Sequence, residues 1–150
     1  RGLLIGFESL TPESLKECKK GFNLLRDYAQ VIERVHARKI AIMGTFVFGF
    51  DHDTIDSFKA TVDFVLSNRL ELPRYAVLTP FPGTPLHNKL DQEGRLHHKD
   101  WSLYDGQHVV FDPALMSSKE LQYGIEWAWK KTYSYSGIAG YGEATCSGPR

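Results

Sequence analysis

Cysteine is almost missing from this chain: Cys18 and Cys146 stand alone among 150 residues. Two thiols so far apart in sequence make neither a disulfide framework nor a cysteine-rich metal cluster, and a reducing, cytoplasmic setting is the expectation. Charge of one sign is missing as well. Eighteen Lys and Arg against eighteen Asp and Glu give a formal net charge of zero, so composition offers no support for a nucleic-acid or anionic-membrane partner. No apolar run approaches the roughly 20 residues that cross a bilayer, and no signal-peptide pattern is present. An initiator Met is absent too. The chain opens on Arg1 and enters a strand almost at once, which leads us to expect a truncated product whose earlier part is missing.

What is present is an apolar content of 42%, enough for one core in one domain or a piece of a larger one. Residues 3 to 7 are apolar apart from Gly6, as expected of a strand covered on both faces. Thr11-Pro12-Glu13 reads as a helix start. Leu25, Tyr28, Ile32 and Val35 give one apolar face to a helix over about 23–38. A second buried strand spans 40–50, and Thr54 caps a helix whose stripe is Ile55, Phe58, Val62, Val65 and Leu66. Arg74 to Leu78 forms a third strand, and Thr84-Pro85 opens a helix that Gly94 ends. Alternation of strand and helix at roughly 35-residue intervals predicts an α/β fold with parallel strands. Beyond it, Trp101 to Phe111 is read as a short strand, Ser117 to Glu120 as a capping box opening a helix to about Tyr135, and 137–150 as a frayed tail.

Each strand ends on polar residues ahead of a helix, where parallel α/β folds place their chemistry. Glu8 and Ser9 put a carboxylate beside a hydroxyl, suited to gripping ribose hydroxyls, or else Ser9 only starts a turn and Glu8 pairs with a cation. Gly49 admits a ligand to the backbone or eases helix packing. Asp51, His52 and Asp53 mix carboxylates with an imidazole, yet consecutive residues rarely converge on one ion, and capping of the next helix accounts for Asp53. Thr79-Pro80-Phe81-Pro82-Gly83-Thr84-Pro85 is a rigid loop that shapes a pocket or a turn. His97-His98, with Asp100 and His108, reads as solvated surface because adjacent imidazoles point apart. The aromatics Trp101, Tyr104, Tyr123, Trp127, Trp129, Tyr133 and Tyr135 read as core of a C-terminal extension, with the cover of a hydrophobic substrate as the alternative.

Taken in order, Ile5-Gly6-Phe7-Glu8-Ser9, Lys20-Gly21-Phe22-Asn23, Phe46-Val47-Phe48-Gly49-Phe50-Asp51-His52-Asp53-Thr54 and Leu78-Thr79-Pro80-Phe81-Pro82-Gly83-Thr84-Pro85-Leu86 resemble the C-terminal half of a radical S-adenosylmethionine enzyme. Gly94-Arg95-Leu96, Asp100-Trp101 and Tyr104-Asp105 resemble the C-terminal extension of the subgroup that carries a cobalamin-binding domain. The resemblance implies strands four to six of a partial (β/α)6 barrel over 1–93, a mainly helical extension over 94–136 and the tail over 137–150.

It also implies the cofactors: an iron–sulfur cluster, S-adenosylmethionine as source of a 5′-deoxyadenosyl radical, and, from the family alone, cobalamin. By motif position, Glu8 and Ser9 contact the ribose or methionine part of S-adenosylmethionine, Val47, Phe48 and Gly49 line the adenine, and Leu78, Thr79 and Pro80 approach it from the third strand. The resemblance names no catalytic residue and no metal ligand in this chain. Cluster ligation in the family uses a Cys-x-x-x-Cys-x-x-Cys loop that this sequence does not contain, so the 150 residues alone are expected to be inactive without the other half of the barrel. Asp53 stands where many relatives carry Glu. The implied reaction is cobalamin-dependent methylation of an unactivated carbon in a small hydrophobic, lipid-like molecule, with membrane association only through the substrate. Oxidative cyclisation of a tetrapyrrole within the same group and a non-catalytic α/β binding module are the alternatives.

Overall fold

The computed structural model of the protein describes residues 1–17, 25–97 and 99–135. The Lys20-Gly21-Phe22-Asn23 motif, both cysteines, His98 and the tail lie outside them. Three parallel strands, β1 (Gly2–Glu8), β2 (Ala41–Phe48) and β3 (Arg74–Val77), stand in the order β1-β2-β3. Helices α1 (Pro12–Glu17) and α2 (Leu25–His36) lie between β1 and β2, α3 (Ile55–Ser67) between β2 and β3, and α4 (Pro85–Gln92) and α5 (Ser118–Thr132) follow.

Along β2, buried Ile42, Gly44, Phe46 and Phe48 alternate with half-buried Ala41, Met43, Thr45 and Val47. The period of two sends the first set to one face and the second to the other. The buried face carries a row of rings across all three strands. Phe7 stacks on Phe46 at 5.3 Å, Phe46 meets Tyr75 at 6.0 Å, and Phe48 meets Phe58 of α3 at 4.7 Å. Tyr28 of α2 meets Phe7 edge-on at 4.9 Å and donates from its hydroxyl to the Phe7 carbonyl at 3.2 Å. The opposite face, set by the register as Leu4 beside Met43 and Val47 beside Ala76, is less covered: Met43, Val47 and Ala76 are half-buried and Leu4 is exposed.

That one-sided cover corrects the expectation for β1. Leu3 and Leu4 are 46% and 69% exposed, because β1 is the edge of the sheet and its first residues lie beyond the helical layer. The helix expected over 23–38 runs from Leu25 to His36, and the one expected to reach Tyr135 ends at Thr132. Trp101 to Phe111 is not a strand. Trp101–Leu103 is one turn of 3-10 helix capped by the Asp100 carboxylate, and the β-bridge seen there among the described residues joins Leu96 to Phe111, flanked by the His97 N–H to Val110 and Asp112 N–H to Arg95 bonds. Glycine and the Asx turn at Asp105, whose carboxylate accepts from the Gln107 and His108 N–H groups, bend this stretch away from extended geometry.

The expected capping box at α5 forms: the Ser117 hydroxyl accepts from the Glu120 N–H, and the Glu120 carboxylate accepts from the Ser117 N–H at 2.7 Å. Helix α5 lies against α3, and Gly124 sets how close. A Cβ on Gly124 falls 2.3 Å from the Phe58 ring, well inside van der Waals contact. Gly124→Ala is therefore expected to destabilise the fold by about 1–3 kcal/mol through overpacking, against the roughly 1 kcal/mol that alanine gains elsewhere in a helix. Denaturant unfolding measures it, and Phe58→Leu in the same chain is expected to return part of the loss.

The outer edge of β1 pairs with nothing among the described residues, and unpaired edges invite association. The isolated chain is expected to self-associate in light scattering. A sharp monomer with a cooperative melt contradicts this.

Candidate functional site

The carboxyl ends of the three strands share one rim, and their loops build the site. At β1 the ladder shifts between Gly6 and Glu8, and Glu8 takes the left-handed conformation with φ 64°. For a residue with a Cβ this is strained, and strain of this kind gathers at functional positions. Ser9, 6% exposed, accepts from the Thr11 N–H through its hydroxyl at 3.0 Å, while its own N–H donates to the Phe7 carbonyl. It thus builds the turn into α1.

At β2, Gly49 has φ 109°, and a Cβ there meets Leu121 at 3.0 Å and Phe111 at 3.1 Å. Its missing side chain is therefore occupied by the extension. The N–H groups of Gly49 and Phe50 both donate to one oxygen of Asp53, at 2.9 and 3.1 Å, and the Ser14 hydroxyl donates to the other at 3.0 Å. Asp53 does not cap α3, as the sequence had suggested. Thr54 holds the cap position, its N–H donating to the Ser57 hydroxyl, and Asp53 instead ties the β2 turn to α1. Burial raises its pKa, and the bonds from Gly49, Ser14 and Phe50 offset only part of that rise.

Asp51 faces elsewhere. It accepts from Lys89 of α4 at 2.5 Å and from Arg95 at 2.7 Å, while Arg95 also holds Glu93. Partial burial acts to raise the Asp51 pKa, but the Arg95 and Lys89 bonds outweigh it and hold the carboxyl below its usual range. The two aspartates diverge and do not form one ligand set. No group of three His, Cys, Asp or Glu side chains gathers around a common point among the described residues. His97 pairs with Asp112 and His108 with Asp105.

Ser9, Val47 and Phe48 come together in a cleft of about 210 Å³, also lined by Leu10, Thr11, Asp53 and the first turns of α3. That volume is below the roughly 300 Å³ at which pockets for whole cofactors begin. The ring of Phe48 packs in the core on Phe58, and Val47 before it is half-buried. Leu78, Thr79 and Pro80 continue β3 beside them without lining the cleft: the Leu78 N–H donates to the Phe48 carbonyl at 2.8 Å, and the Thr79 hydroxyl donates to the Val77 carbonyl. Sequence reasoning missed the Asp51–Lys89–Arg95 hub, whose partners are 38 and 44 residues away. It also missed the Ser14–Asp53 bond, which leaves no trace in spacing.

No protein-family model matches the chain. Among characterised proteins, it is 43% identical to a bacteriochlorophyllide d C-12(1)-methyltransferase of Chlorobaculum tepidum, over 89% of this chain and 29% of that protein. A bacteriochlorophyllide d C-8(2)-methyltransferase of the same organism is 29% identical over 86% of the chain and 30% of its own length. A hopanoid C-2 methylase of Rhodopseudomonas palustris is 26% identical over 65% of the chain and 19% of its length. The chain spans less than a third of each, and the match falls in their C-terminal part.

Asp53→Ala strands two buried N–H groups and is expected to cost several kcal/mol, at about 1–3 for each. Asp53→Asn is expected to cost much less, because its amide oxygen can take both N–H groups and its NH2 can donate to Ser14. The raised pKa fixes the sign with pH. Asp53 favours the fold fully below its unfolded value and loses that contribution as pH rises through the higher folded value, a decline that melts of the Asn variant are expected to lack.

Proposed function

Because this chain is homologous to methyltransferases of the radical S-adenosylmethionine type, we propose that it forms one wall of the S-adenosylmethionine site in a longer enzyme that methylates an unactivated carbon of a hydrophobic substrate. On this reading 1–93 is the second half of the barrel, strands four to six, and 94–136 is the extension packed on its outside. The observation that carries the reading is the rim: three parallel strands deliver Glu8-Ser9, Val47 to Gly49 and Leu78 to Pro80 to the same end of one sheet. Ligands of parallel α/β sheets bind at that end.

Fit differs between the implied groups. The cleft at Ser9, hydroxyl-lined by Thr11, Thr54, Ser57 and Thr61, suits a ribose or the polar end of methionine. Glu8, fixed by its left-handed backbone, accepts from ribose hydroxyls or an ammonium group. Val47 offers an apolar surface to adenine, with the backbone at Gly49 and at Leu78 to Pro80 beside it. S-adenosylmethionine supplies, when bound, a methyl group and a 5′-deoxyadenosyl radical. An iron–sulfur cluster does not fit this chain, since two cysteines cannot supply three thiolates, and cobalamin has no binding segment in it. Both belong, on this reading, to the remainder of the enzyme.

Among the substrates that the relatives' names carry, the tetrapyrrole is favoured over the hopanoid, because the 43% match exceeds the 26% one. No described helix is long and apolar enough to cross a membrane.

Anaerobic cluster reconstitution tests the reading. Only the longer protein is expected to gain iron and to release 5′-deoxyadenosine after reduction; if it does neither, the radical-enzyme assignment fails. In that longer protein Glu8→Ala is expected to raise the Kd for S-adenosylmethionine about tenfold, the roughly 1.4 kcal/mol of one charge-assisted hydrogen bond, measured by equilibrium dialysis.

A further inference from the structure

Phe111 and Asp112, neighbours in the extension, both hold the turn that leaves β2. The Phe111 ring packs where Gly49 has no side chain, 3.1 Å from the position a Cβ would take. The Asp112 carbonyl accepts from Nε of Arg95 at 2.7 Å, and Nη2 of the same guanidinium donates to the Asp51 carboxylate at 2.7 Å. Its third nitrogen, Nη1, donates to Glu93, the residue that ends α4, at 2.8 Å. The backbone of Arg95 is pinned as well: its N–H donates to the Leu90 carbonyl at 2.9 Å, and its carbonyl accepts from the Asp112 N–H at 2.8 Å. One side chain thus joins α4, the extension and the β2 turn.

Only a guanidinium can do this, because its planar fork carries donors in three directions, whereas the ammonium of lysine is a single charged point. Lys89 also reaches Asp51, but its side chain is 46% exposed against 18% for Arg95, and ion pairs in solvent hold weakly. From the other side, Asp53 takes the N–H groups of Gly49 and Phe50. Positions 49, 50 and 51 are therefore each tied down, and this stretch is what β2 brings to the rim. Binding sites depend on such support, since a contacting group has to stand within roughly 0.5 Å of its productive place. We propose that Arg95 is a positioning residue for S-adenosylmethionine: it does not touch the cofactor, and by fixing Asp51 to the extension it sets where Gly49 and the end of β2 meet it.

This inference rests on the reading of the rim as an S-adenosylmethionine site, and equilibrium dialysis of the longer protein separates the two. Arg95→Ala is expected to raise the Kd for S-adenosylmethionine about tenfold, and Arg95→Lys, which keeps the charge but reaches one acceptor at a time, at least about fivefold. Ethylguanidinium, added below denaturing concentrations, is expected to return most of the affinity of the alanine variant, whereas ethylammonium is not. Thr132→Val supplies the comparison for a merely looser fold. It removes the buried bond to the Tyr75 hydroxyl, at the opposite end of α5 from Leu121, the residue beside Gly49, and is expected to leave the Kd within about twofold. Unchanged affinity in Arg95→Lys overturns the positioning role. So does a loss in Thr132→Val equal to that of Arg95→Ala, or an alanine variant that ethylguanidinium restores no better than ethylammonium; in each case the site reading stands. If Arg95→Ala does not fold, Arg95→Lys beside Thr132→Val decides. A longer protein that binds no S-adenosylmethionine overturns the site reading and the positioning role together.

Discussion

The row of rings from Phe7 through Phe46 and Phe48 to Tyr75 is the constraint on which the remaining geometry depends. It draws α2, α3 and α5 to one face of the sheet, because large flat side chains on successive strands offer rings for helical side chains to pack against. Tyr28, Phe58 and Phe64 supply that layer from α2 and α3. Once one face is satisfied in this way, the other can be given to smaller and more varied residues, Met43, Thr45, Val47 and Ala76. Leu4, on that second face at the β1 edge, is accordingly exposed.

The rim is stiffened by two aspartates two residues apart with opposite electrostatics. Asp53 is buried and receives three donors, so it closes the β2 turn onto α1 and fixes Gly49 and Phe50 from inside. Asp51 is partly solvated and receives two cations, so it fastens α4 and the extension to the same turn from outside. Burial lifts the first pKa while ion pairing lowers the second. Neither carboxylate is left for a ligand, and the turn gains a defined shape at the point where three elements meet. The strained backbone of Glu8 is held in the same way, by a bulge behind it and the Ser9 turn ahead of it.

Much of this was legible in residue patterns. The three parallel strands, the N-terminal signals at Thr11-Pro12, Thr54, Thr84-Pro85 and Ser117, and the apolar stripe of α3 follow from period and capping chemistry, which are local. The resemblance to radical S-adenosylmethionine enzymes was legible too, because strand-end motifs kept their order along the chain. What could not be read was non-local or concerned cover. Nothing in an apolar run such as Leu3-Leu4-Ile5 tells whether a second layer exists to bury it. The aromatic wealth of 101–111 suggested a strand, but Asp100, Asp105 and Gly106 used turn chemistry instead. Gly124 did carry a signal, a glycine inside a strong helix, yet only the Phe58 ring opposite explains it.

The extension does more than cover hydrophobic surface. Gly49, just past β2, lacks a side chain where Phe111 and Leu121 press in, Gly106 offers its carbonyl to the Val77 N–H at 2.7 Å, and Tyr75 joins its hydroxyl to that of Thr132 at 2.7 Å. At the outer edge of β3 the Val77 N–H is therefore already taken by the Gly106 carbonyl, whereas the outer edge of β1 meets no strand among the described residues. The two edges of the sheet thus differ in kind, one held by the chain that follows it and the other open beside exposed Leu4.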